Sequence, residues 1–111
     1  MLDKSTVIRT ATNYAEAVKK EFSPDAVILF GSYVNGNPNE GSDIDIAVLF
    51  NGFSGDIGKA CSRLWDISYD ISWDIEPHLL DSSDNPSGFV GHVLRTGQVI
   101  FESQDDNAAR C

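Results

Sequence analysis

Little in this chain could staple it, span a membrane or grip a polyanion. Its two cysteines, Cys61 and Cys111, are too few for a disulfide scaffold in 111 residues. Cys61 falls inside a helical pattern and Cys111 is the last residue, so both read as free thiols of a reducing, cytoplasmic compartment. The longest apolar runs, Ala26 to Phe30 and Ile46 to Phe50, fall far short of the roughly 20 residues a membrane helix needs. No basic stretch followed by an apolar core opens the chain, so no secretion signal is expected. Cations are scarce: 8 Lys and Arg against 17 Asp and Glu leave a net charge of −9. Direct DNA or RNA binding requires a basic face and is not expected. An acidic surface suits metal cations or a basic protein partner.

What is present divides into short periodic segments. Over residues 3–22, Val7, Ile8, Ala11, Tyr14, Ala15, Val18 and Phe22 recur at three- and four-residue steps, which predicts a helix capped by Asp3 or Ser5 and stopped by Pro24. Ala26–Phe30 reads as a buried strand. Gly31 to Gly36 should turn into a short helix, and Asn37 to Ser42 forms a loop rich in Asn, Pro and Gly. Asp43–Phe50 is a second strand, and residues 56–68 carry a helical apolar stripe. From Ile71 to Leu80 the alternation of Ile71, Trp73 and Ile75 with Ser72, Asp74 and Glu76 predicts a strand with one polar face, and Pro77 points to a sheet edge or a bulge there. Phe89–Arg95 fits a short helix ending at Gly97, and Val99–Phe101 a last strand. This order implies one α/β (α+β) domain over residues 1–101, a small mixed β-sheet with helices packed on it. Residues 102–111 read as a flexible tail.

The chemistry concentrates between Phe30 and Phe50. Asp43 and Asp45 stand two apart on a strand, so they share a face, roughly 7 Å apart at about 3.3 Å per residue. Like charges held that close call for a cation between them, and carboxylates with phosphate oxygens are the ligands Mg²⁺ prefers. A third acid, Asp74 or Glu76, lies on the later strand. Three acids around one point can hold two Mg²⁺ ions that clamp the attacking and leaving oxygens of a phosphoryl displacement. Gly31 lets a polyphosphate approach the backbone, where helix-start N–H groups and the Ser32 hydroxyl can bind it. A calcium loop over Asn35–Ile46 is excluded, because Glu40 stands where such a loop needs Gly and Ile46 where it needs Glu. His78 and His92 read as structural, and Trp65, Trp73 and Phe89 as core or interface.

Gly31-Ser32, ten residues, then Asp43-Ile44-Asp45 and an apolar strand resembles the signature of the DNA polymerase β-like nucleotidyltransferase superfamily. The short chain resembles its minimal members, the antitoxin-type partners of HEPN-domain proteins, over roughly Ala26 to Glu102. The resemblance implies a nucleotidyltransferase-like fold, with Asp43, Asp45 and a third acid as catalytic, metal-binding residues. That third acid is Asp74 by preference, since the family's residue there is normally Asp, with Glu76 as the alternative. It implies Gly31, Ser32 and Ser42 as nucleotide-binding residues, and two Mg²⁺ ions with ATP or another NTP. The expected reaction transfers a nucleoside monophosphate, AMP from ATP, to a hydroxyl, a tyrosine on a HEPN-type toxin partner. A homo-oligomer is left open. The segment Tyr33-Val34-Asn35 carries no cation where relatives often do, although Lys59 and Arg63 could compensate. The alternative is therefore a catalytically degenerate, antitoxin-like subunit that acts by docking.

Overall fold

The computed structural model describes residues 3–31, 34, 43–83 and 88–103. Helix α1 spans Lys4–Lys19 and starts where the Asp3 side chain accepts the Thr6 N–H at 2.7 Å. Its buried stripe is Val7, Ala11, Tyr14, Ala15 and Val18, the i, i+3, i+4 pattern of one apolar face. Strand β1 covers Ala26–Phe30 and β2 covers Ile44–Phe50. Helix α2, Ile57–Ile71, is capped by Asp56, which accepts the Lys59 N–H. Strand β3, Ile75–Asp81, helix α3, Phe89–Thr96, and strand β4, Gln98–Glu102, complete the described elements. The last strand thus reaches one residue into the expected tail; residues 104–111 lie outside the described residues.

The four strands form one mixed sheet in the order β3-β2-β1-β4. Strand β1 is antiparallel to both β2 and β4, and β2 is parallel to β3. A parallel neighbour cannot be reached by a tight turn, so α2 serves as the crossover. Central β2 is buried at every position except Asp45, which is half-buried. Strand β3 lies at the edge, where Pro77 is tolerated because only one side must pair.

Alternation along the strands divides the core into two layers. Val27, Leu29, Ile44, Ile46, Val48 and Ile75 pack against α1 and α2. Ala26, Ile28, Ala47 and Leu49 pack against Val90 and Val93 of α3. Tyr14 ties the first layer together by donating its hydroxyl to the Leu64 carbonyl at 2.9 Å, and burial raises its pKa above the ordinary tyrosine range. No helix is long and apolar enough to cross a membrane among the described residues.

The largest boundary departure from the sequence reading lies between α2 and β3. Residues 71–74 do not begin the strand: α2 continues to Ile71 and β3 starts at Ile75. The alternation of Ile71, Trp73 and Ile75 mimics a strand. Ile71 instead extends the helical stripe of Leu64, Ile67 and Ser68, and Trp73 stands 81% exposed in the connecting turn. Trp65 is also exposed rather than core.

Candidate functional site

The site forms where the ends of β1, β2 and β3 meet on the α3 side of the sheet. At the end of β1 the chain turns at Gly31 with φ +85°, a left-handed conformation that glycine adopts without strain. A side chain there is excluded a second time, because a Cβ at Gly31 would overlap the Asp45 carboxylate. Val34 N–H donates to the Gly31 carbonyl at 3.1 Å, the opening of the expected turn. Ser32 and Ser42 lie outside the described residues, as does most of the loop between them.

Asp43 stands exposed just before β2, and Asp45 is the second residue of that strand. Asp45 pairs with Phe30 across the antiparallel ladder and with Glu76 across the parallel one. The register therefore sets Asp45 and Glu76 side by side on adjacent strands. Glu76 holds its proton more tightly than an ordinary glutamate. Burial is the main cause; the charges of Asp45 and Asp43 and a hydrogen bond with Asp43 add to it, while His78 opposes it.

Asp74 has a different place. It lies in the turn before β3, where its carbonyl accepts the Ile44 N–H at 2.7 Å. Its backbone N–H donates to Ser72 Oγ at 3.1 Å, and its carboxylate faces that same hydroxyl at 3.5 Å. The structure thus brings Asp43, Asp45 and Glu76 together and leaves the Asp74 side chain with Ser72.

His78 joins the group unforeseen. Its Nε2 lies 3.4 Å from Asp45 Oδ1 and 3.7 Å from Glu76 Oε2. Asp45, Glu76 and His78 each offer one ligand atom within 4.8 Å of the others, a donor set that fits a divalent cation. The available signal was its position two residues after Glu76, hence on the same strand face. Its acid partner Asp45 is remote in sequence, so spacing along one segment concealed it. Phe30 packs edge-on against the imidazole at 5.1 Å and against Phe89 at 5.8 Å, which forms an aromatic wall beside the acids.

The two cations that could have compensated are elsewhere. Lys59 and Arg63 belong to α2, which packs on the opposite face of the sheet. Arg63 donates to both carboxylate oxygens of Glu21 at 2.7 and 2.6 Å, lowering the Glu21 pKa. A cleft lined by Glu21, Phe22, Asp25 and Phe50 sits at the far end of β2. Its lining includes none of the three grouped side chains.

The family described as "Polymerase beta, Nucleotidyltransferase" matches residues 13–106. Among solved structures, the chain is similar to a protein from Sulfolobus solfataricus with a provisional nucleotidyltransferase designation. Identity is 23% and the TM-score 0.62, covering 89% of this chain and 83% of the other. A toxin–antitoxin structure with AMP-PNP matches at 25% identity and TM-score 0.63, over 88% of this chain and 78% of that one. A mutant of the toxin–antitoxin MntA-HpeT matches at 22% identity and TM-score 0.59, over 97% and 80%. A comparison with curated proteins gives no match.

Proposed function

The chain belongs to the polymerase β nucleotidyltransferase family, and from that premise we propose that it transfers AMP from ATP to a hydroxyl, releasing pyrophosphate. The observation that carries this reading is the register pairing of Asp45 with Glu76 beside the Gly31 turn. It sets acids from two strands against a glycine whose backbone a polyphosphate can approach.

In this reading Asp43, Asp45 and Glu76 hold divalent metal, Mg²⁺ in the first instance, and Glu76 takes the third-acid position in place of Asp74. Bound metal would neutralise the phosphate oxygens and polarise the α-phosphorus. The chain's own residues bind and orient. Gly31, Ser32 and Ser42 receive the triphosphate, and Phe30, packed on Phe89, restrains the imidazole beside the acids. Glu76, on the strand beside Asp45, is placed to take the proton of the attacking hydroxyl. The hydroxyl oxygen then bonds to the α-phosphorus as the bond to pyrophosphate breaks.

The toxin–antitoxin neighbours, one of them with AMP-PNP, support an ATP substrate and a toxin partner. The acceptor we propose is a tyrosine of a HEPN-type toxin. A second reading, a degenerate docking subunit, draws on one observation: Arg63 is held by Glu21 on the far face and does not serve the site.

The test is transfer of label from α-labelled ATP to the co-expressed toxin partner in the presence of Mg²⁺. Label should reach the partner with the wild-type chain and with Asp74→Asn, and fail with Glu76→Gln and with Asp43→Asn/Asp45→Asn. Partner neutralisation retained by the double variant without any label transfer would favour docking instead.

A further inference from the structure

The carboxylates account for a metal site, but not for the imidazole that faces them. His78 directs one nitrogen, Nε2, at oxygens of two different acids, 3.4 Å from Asp45 and 3.7 Å from Glu76. A single N–H cannot serve both: the first distance is at the long limit of a hydrogen bond and the second lies beyond it. One cation placed among the three atoms would serve all of them. Ligands at right angles around an ion with bonds of about 2.1 Å lie roughly 3 Å apart, and the two His78 spacings of 3.4 and 3.7 Å lie within an ångström of that. The strand register makes room for the ring, since His78 is paired with Ala47, the smallest side chain on β2. The edge-on Phe30 ring restrains its orientation.

We propose that His78 Nε2 is a ligand of the cation that Asp45 and Glu76 hold, and that this nitrogen shifts the centre's preference from Mg²⁺ toward first-row transition ions, for which paramagnetic Mn²⁺ serves as the probe. Mg²⁺ is a hard ion that keeps oxygen ligands and water, whereas imidazole suits transition ions. Coordination through Nε2 requires the proton on Nδ1, the tautomer in which Nε2 carries a lone pair. The assignment rests on the metal-site reading above and adds the ion's identity to it.

The experiment uses the full chain with Mg²⁺ and Mn²⁺ as probes. Calorimetry gives the affinity for each, and pulsed electron paramagnetic resonance of the Mn²⁺-loaded protein reports any nitrogen bound to the metal. Two variants are compared, His78→Ala and His78→Gln; the second keeps a hydrogen-bond donor near Asp45 and guards against a loss of folding. The wild-type chain should bind Mn²⁺ more tightly than Mg²⁺ and show nitrogen coupling. In both variants the coupling should vanish and Mn²⁺ affinity fall by at least about tenfold, the lower end of what even outer-shell partners contribute. Mg²⁺ affinity should stay near its wild-type value. Bound Mn²⁺ without nitrogen coupling, or Mn²⁺ affinity unchanged in His78→Gln, would overturn the role of His78 and leave the carboxylate site standing. Failure of the folded wild-type chain to bind either ion would overturn both.

Discussion

At the scale of single residues, Gly31 and Glu76 carry the most information. Gly31→Ala must place a side chain in a left-handed conformation and push it into the Asp45 carboxylate. The backbone alone should cost about 1–2 kcal/mol, read as a lower denaturation midpoint in urea, and metal affinity should fall with it. Glu76→Gln should act in the opposite direction on the metal-free protein. Because the folded-state pKa of Glu76 is raised, its contribution is favourable below the unfolded-state value and is lost as pH rises through the folded one. The thermal midpoint of Glu76→Gln should therefore exceed that of wild type at neutral pH, with the gap closing as the solution is acidified below the glutamate range. Asp43, Asp45 and Gly31 were legible in the sequence because strand periodicity and a turn glycine are local signals. The geometric preference for Glu76 over Asp74 was not, since it depends on where β3 begins. His78 was hidden because its contact with Asp45 crosses between strands.

At the scale of elements, the order of helices and strands could be read directly from apolar spacing. The error at residues 71–74 shows the limit: an apolar residue at every second position also fits the end of a helix followed by a turn. Trp73 supplies a check. At 81% exposure it contributes little packing, so Trp73→Ala should change stability by no more than about 0.5 kcal/mol. A core strand residue would cost several times more. Tyr14→Phe tests the opposite case, a contact joining two elements. It removes the bond from α1 to the Leu64 carbonyl and should cost about 1 kcal/mol, with the denaturant slope unchanged.

For the whole molecule, the charge of −9 and the Asp81 clasp set the response to acid. Asp81 accepts the Gly52, Phe53 and Ser83 N–H groups and the Ser83 hydroxyl, which hold its carboxyl well below the usual carboxylate range. A depressed folded-state pKa gives stability that is present above the unfolded-state value and lost as pH falls through the folded one. Acidification thus relieves the general repulsion, while protonation of Asp81 should weaken its hold on the connector between β2 and α2. Circular dichroism across an acid titration should show Asp81→Asn less stable than wild type at neutral pH, with the two curves converging at low pH.

The parallel pairing of β2 with β3 has a further consequence. Asp45 meets Glu76 and His78 only after α2 has closed the loop between the strands, and closing that loop is an entropic cost met before any ligand is gained. A fragment ending at Asn51 would contain every residue of the Gly-Ser and Asp-x-Asp signature and still lack half of its donors. In the proposed metal-dependent reading, metal capture would therefore come late in the chain's assembly. An ion that binds only the closed form acts as a latch on the crossover, and its release should be felt first at the exposed edge of the sheet.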